Sequence, residues 1–241
     1  MNNLRTVSDT KRDFYNHHTR PVNSIFRRVV EELMVEMHLL SVNVDFHYEP
    51  IYALGVVTSF NRFMEGYRPE RDKASIFDAL CQAVGNQPEQ YKQDAQWLET
   101  MAERVTGQEL VSWLSAPRPQ DTLGDLYATV AAIAENPKFK YSRLFAIGLY
   151  TLLEKADSDL VQDEKRRTEA LKQISDGLHL PEEKLQKDLE LYRSNLQKME
   201  QVRVVIQDAI EADRKKREKR LQDQNKATTP SSDSQESTPG V

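Results

Sequence analysis

A chain of 241 residues has room for one large domain or two small ones and enough length to bury a proper core. Charged residues make up 29% of it, hydrophobic ones 39%, and the net charge of −5 is too mild, and too little concentrated in basic patches, to point to nucleic acid. A single cysteine, Cys81, excludes an intrachain disulfide and any cysteine-rich metal knot.

Residues 1–8 carry no pattern and read as a flexible lead. The opening MNNLRTVSDTKRDFYNHH lacks an apolar core of the kind a secretory signal needs. Residues 9–18 read as a short helix or ordered arm anchored by Phe14 and Tyr15. Pro21 then opens the first long helix, where its missing N–H costs little. Val22, Phe26, Val29, Leu33, Met37 and Leu40 recur at steps of three or four, and Ile25, Val30 and Met34 widen the row into a core-facing stripe. Arg27–Glu31 and Arg28–Glu32 are spaced as i,i+4 pairs, each worth about 0.2–0.5 kcal/mol.

Residues 41–48 alternate apolar and polar at period two, but no second strand is available to pair with them. An isolated strand leaves its backbone groups unsatisfied, so the segment reads as an extended connector. Residues 50–67 form the next helix, with Ala53, Val56, Val57, Phe60, Phe63, Met64 and Tyr67 on one face. Pro69 breaks the chain, Asp72 is placed to cap a helix with Ile76, Phe77, Leu80, Cys81 and Val84 inward, and Gly85 stops it. Cys81, beside Leu80 and Val84, reads as a small buried hydrophobe rather than a nucleophile. Pro88 begins the row Tyr91, Ala95, Leu98, Met101, Ala102 and Val105.

A short helix follows around residues 110–114. Thr122 is placed to cap the next, with Leu126, Tyr127, Val130 and Ile133 inward. Residues 142–156 carry a nearly unbroken apolar run, which belongs at the centre of a bundle. At ten residues, the run over 144–153 is far short of the ~20 needed to span a bilayer. A more polar helix runs from Asp157 or Ser158 to about Gly177.

After Pro181 the chain holds neither Pro nor Gly to about residue 222, and strong helix formers dominate. Leu189, Tyr192, Leu196 and Met199 follow an a/d spacing that Ile206 and Ile210 resume, while Arg203 and Asp213 interrupt the seam. Such a helix is roughly 60 Å long at 1.5 Å per residue. Its end, EADRKKREKR, carries six basic and three acidic residues and no apolar stripe. Residues 225–241 are disordered by composition.

No Glu-x-x-His pair, HExxH, P-loop, G-x-G-x-x-G or G-x-S-x-G is present. His17, His18, His38, His47 and His179 have no zinc spacing. Glu36 lies at the edge of an apolar arc and reads as a half-buried carboxylate in a structural ion pair, with Arg62 and His47 as candidate partners. The run from Arg214 to Arg220 is the remaining candidate for an anionic lipid surface or an acidic partner, against the plainer reading of a solvated helix end.

Taken in order, several segments resemble the thylakoid formation protein family. They are RRVVEELMVEMHLL (27–40), FHYEPIYALGVVTSFNRFMEGY (46–67), IFDALCQA (76–83), YSRLFAIGLYTLLE (141–154) and LPEEKLQKDLELYRSNLQKMEQ (180–201). The basic extension and the Ser/Thr/Pro tail lie outside the resemblance. It implies an all-α fold and a non-catalytic role in photosystem II assembly and repair, and the residues themselves call for no cofactor or metal. It also implies association with thylakoid FtsH protease complexes. Plant members carry a transit peptide; this N-terminus has none, which favours a cyanobacterial-type protein lying peripherally on the cytoplasmic side of the thylakoid.

The resulting expectation is an irregular helical bundle with a long protruding C-terminal helix and a disordered tail. Its parts are a lead (1–8), a helical body (9–180), the long helix (181–224) and the tail (225–241). Partner binding is assigned to the long helix, through Leu189, Tyr192, Leu196, Met199, Arg203 and Ile206 on its seam and Arg214, Lys215, Lys216 and Arg217 at its basic end. The alternatives are a helical-bundle metal or cofactor carrier using Glu36 and the histidines, and a binder of anionic membranes through the basic run.

Overall fold

Residues 144–153 are apolar or small almost without interruption, and a helix of that composition must be covered on nearly every side. The computed structural model of the chain describes residues 5–119 and 123–227 and buries every one of those ten. In chain order the helices are α1 (Val7–His17), α2 (Ser24–Ser41), α3 (Pro50–Phe63), α4 (Asp72–Ala83), α5 (Pro88–Ala102) and α6 (Gly107–Ser115). They continue with α7 (Gly124–Glu135), α8 (Arg143–Ala156), α9 (Ser158–Gln162), α10 (Glu164–Leu178) and α11 (Glu182–Ala227). No strand occurs among the described residues. The contacts divide the chain into a body that runs to Leu196 and a second unit that begins at Gln197.

The body is organised on the crossing of α3 and α8. A Cβ on Gly55 would lie 1.7 Å from the carbonyl oxygen of Leu144, and one on Gly148 would lie 1.8 Å from that of Ile51. Two helix backbones approach this closely only where neither carries a side chain. α5 packs against both. α6 and α10 repeat the device, since a Cβ on Gly177 would stand 2.1 Å from the carbonyl oxygen of Ser115.

Local chemistry sets most helix starts. Pro50 and Pro88 occupy first-turn positions. Ser142 accepts from the N–H of Phe145 at 3.0 Å to cap α8. Thr6 and Asp9 form a reciprocal capping box, so α1 begins at Val7, ahead of the expected Asp9.

Several expectations are corrected. α3 ends at Phe63, and the connector after α2 turns at residues 42, 44 and 45 before running without regular structure through 46–49, with the Asn43 side chain accepting from the N–H of Asp45. Asp72 does not cap α4; it is 3% exposed and meets Arg20 at 2.6 Å. Glu31 bonds Lys11 at 2.8 Å rather than Arg27, while Arg28–Glu32 forms as expected at 2.8 Å. The segment after Asp157 is two helices, because Asp163 caps a second start by accepting from the N–H of Arg166. Gly177 is taken up by its contact with α6, and the left-handed position that ends α10 falls to His179, at φ 54°. The Thr122 cap lies outside the described residues, as does the tail beyond residue 227; 225–227 still belong to α11.

Candidate partner-binding surface

The seam expected along α11 divides at Leu196. In the body, Leu185, Leu189 and Tyr192 are 0%, 2% and 1% exposed. The Tyr192 ring meets Phe63 edge-on at 5.7 Å and Tyr150 at 6.3 Å. One turn earlier Asp188 accepts from the Tyr141 hydroxyl at 2.9 Å, and Lys184 lies over the Tyr141 ring at 5.1 Å. Leu196 is half-buried against the same core. Leu189 and Tyr192 are therefore core residues of this chain and offer no surface to a partner.

From Gln197 onward the second unit presents different chemistry. Val202, Val204 and Val205 are exposed, while Met199 and Arg203 are half-buried and Arg203 pairs with Glu200. At 100° per residue Met199, Val202 and Val205 fall on one side of the helix. Arg214, Lys215, Lys216 and Arg217 are all exposed, and Arg214 meets Glu218 at 3.2 Å. Ile206 lies on α11, with its side chain outside what is described. Val202 and Val205 escaped the sequence reading because a strict heptad carried forward from Leu189 steps over them. A search for the apolar arc of residues 197–210 taken alone finds them.

The other candidates resolve into structural roles. Glu36 bonds Arg143, not Arg62 or His47, with Oε2 2.5 Å from the guanidinium Nη2. Burial raises its carboxyl, and the Arg143 charge works against that rise. Arg62 pairs instead with Glu154, and His47 bonds the backbone oxygen of Asp45 at 3.2 Å. Glu49 caps α3, accepting from the N–H groups of Ile51 and Tyr52 at 2.7 and 2.8 Å. Burial outweighs those two donors and pushes its carboxyl up to about 8. Cys81 is fully buried and its thiol is pushed up to about 12, which leaves it unreactive.

Among the described residues no three His, Cys, Asp or Glu converge to hold a metal. A groove of about 370 Å³ between α3, α5 and α8 holds Arg62, Lys92 and Lys155. All three cations are already matched, by Glu154, by Asp78 at 2.9 Å and by Glu99 at 3.5 Å. The body therefore carries no assembled catalytic constellation among the described residues. Exposed apolar side chains occur on both units, Ile25, Val35, Leu39, Val42 and Val44 on the body and Val202, Val204 and Val205 beyond Leu196, and the latter are followed on the same helix by the exposed basic run.

The chain is similar to known proteins along most of its length. A sequence model of the thylakoid formation protein family matches residues 6–221. Protein Thf1 of Trichormus variabilis is 64% identical over 230 residues, covering 95% of this chain and 97% of that protein. Protein Thf1 of Nostoc punctiforme is 61% identical over 232 residues, covering 96% and 99%. The solved structure of Psb29 at 1.55 Å aligns with a TM-score of 0.77 at 46% identity, over 88% of this chain and 98% of that one. The family match runs past residue 205 and takes in Arg214–Arg217, so the basic run is within the family's span and not, as the sequence reading had it, an extension beyond it.

Proposed function

The chain belongs to the thylakoid formation protein family, and from that premise we propose that it binds a thylakoid FtsH-type protease complex through the part of α11 beyond Leu196. The family consists of non-catalytic accessory factors of photosystem II assembly and repair, so the work is association rather than chemistry. Association of this kind stabilises a complex by mass action. A factor that binds only the assembled form adds about 2.7 kcal/mol when present at 100 times its dissociation constant. In this reading photosystem II repair intermediates are reached through the protease.

The observation that carries the reading is the Met199–Val202–Val205 side of α11, followed by the exposed run Arg214–Arg217, all within the family's matched span. An apolar strip flanked by charge is the chemistry of a helix that lies in a partner's groove, the strip supplying affinity and the charges register. No helix among the described residues is long and apolar enough to cross a membrane. The association with the thylakoid is read as peripheral, and its placement on the cytoplasmic face is part of the proposal.

A tagged pull-down from gently solubilised thylakoid membranes tests this, with the full chain beside a truncation after Leu196. That cut keeps Leu185, Leu189 and Tyr192, which the body needs. FtsH subunits recovered by the full chain alone support the assignment. Recovery by both places the contact on the body, and recovery by neither removes the protease as partner. The exposed basic run also favours a second reading, docking on anionic lipid. Salt-sensitive sedimentation with anionic vesicles, lost on reversing Arg214–Arg217, distinguishes it.

A further inference from the structure

We propose that α1 is an acid-released segment, clipped to the body by two neutral histidines, His18 and His38, that let go when they are protonated. The two clips sit at opposite ends of the helix and on different partners. Near its start, Thr10 Oγ1 hydrogen-bonds Nδ1 of His38 on α2 at 2.8 Å. At its C-terminal cap, His18 Nδ1 hydrogen-bonds Ser75 Oγ on α4 at 2.9 Å. Thr10 is 0%, His18 1% and His38 3% exposed, while Ser75 is half-buried. Between the clips Phe14, also 0% exposed, is the one buried apolar side chain of α1, and its ring centroid lies 6.0 Å from that of His18. Compared with the α3–α8 crossing, α1 is held by few buried groups, the condition under which a segment opens on its own.

A second proton has no good place at His18. The Nε2 of His18 is buried without a hydrogen-bond partner. In the cation both ring nitrogens carry a proton, and the N–H on Nε2 then has no acceptor for a buried charge. The charged groups facing His18 are Asp72 on α4, which favours its cation, and Arg20, which opposes it. Asp72 is already matched by Arg20 at 2.6 Å and has Arg71 at 3.9 Å. Facing His38 are Arg5, which opposes a cation, and Asp9, which favours it. Asp9 already takes bonds from Thr6 and Arg12. Burial is the largest influence at both sites and holds each imidazole below its ordinary value.

The direction follows from proton counting. Released, both rings regain an ordinary pKa of about 6.5; docked, they bind protons less well. Docking is at full strength above about pH 6.5 and weakens as pH falls below it. Each histidine raises the opening constant by up to about tenfold per pH unit, so the pair raises it by up to about a hundredfold until the docked values are reached. Release uncovers Thr10, Phe14 and the buried faces of α2 and α4 on which they sit.

Hydrogen exchange of the full chain between pH 7.5 and 5, corrected for intrinsic rates, tests the device. The expected result is that α1 amides lose protection progressively below pH 6.5 while α8 amides hold. In a His18→Asn/His38→Asn variant, whose side chains keep a neutral donor and acceptor near the Nδ1 positions, α1 should be flat with pH. Equal α1 protection across the range in the unaltered chain overturns the proposal, as does an undiminished loss in the variant. Should the variant lack a docked α1 at every pH, imidazole titration by NMR in the unaltered chain decides. Docked rings titrating well below 6.5 support the clips, and rings titrating at about 6.5 with α1 still in place sink them.

Discussion

The residues of α11 up to Leu196 and those from Gln197 onward come from the same helix-forming set, yet they meet opposite fates. Leu185, Leu189 and Tyr192 disappear into the body, whereas Val202, Val204 and Val205 remain exposed. Helix propensity does not separate the two stretches, and neither does the presence of an apolar strip. The difference lies in what faces them. Phe63 and Tyr150 offer ring edges to Tyr192, and the Tyr141 hydroxyl meets Asp188. A periodic pattern establishes that a helix has a face; whether that face is covered in cis depends on side chains far away in the chain.

The largest effect expected from breaking this contrast is at the anchor. Tyr192→Ala empties a fully buried aromatic site and should cost about 3–5 kcal/mol in urea denaturation. Val205→Ala, nearly two heptads further on, should stay within about 0.5 kcal/mol while weakening recovery of the partner in the pull-down. Equal losses at the two positions would mean that the second part of α11 is also packed.

A middle-sized effect concerns where pH dependence resides. The second unit carries exposed charges, whereas the body holds Glu49 with its carboxyl pushed up to about 8. Folded chains therefore hold a proton that unfolded chains release above about pH 4.5. The Glu49 contribution is fully present below that pH and is lost as pH rises through 8, by up to about 1.4 kcal/mol per pH unit. Glu49→Gln should remove that slope from urea midpoints measured between pH 5 and 8.5. A slope of the same size in the variant would assign it to other groups.

The smallest effect is at the joint that precedes α11. His179 is exposed and left-handed at φ 54°, and His179→Gly should relieve the strain and raise stability by about 0.5–1 kcal/mol. A lower thermal midpoint would show that the histidine side chain contributes something its exposure conceals.

The sequence by itself determined the all-helical class, the helix starts at Pro50, Pro88 and Ser142, the central place of residues 144–153 and the family. Those readings rest on rules that act within about one turn, on unbroken apolar composition, or on the order of whole segments. Only the tertiary structure decided that Glu36 pairs with Arg143, that Arg62 pairs with Glu154 and that Asp72 faces Arg20 instead of capping its helix. It also placed the left-handed position that ends α10 at His179, while Gly177 stands bare where α10 touches α6. And it divided the α11 seam into a covered and an open part. Each of these depends on groups that lie many residues apart and meet only once two glycine-bearing helices have crossed. A pattern with a period of 3.6 residues carries no record of such a meeting.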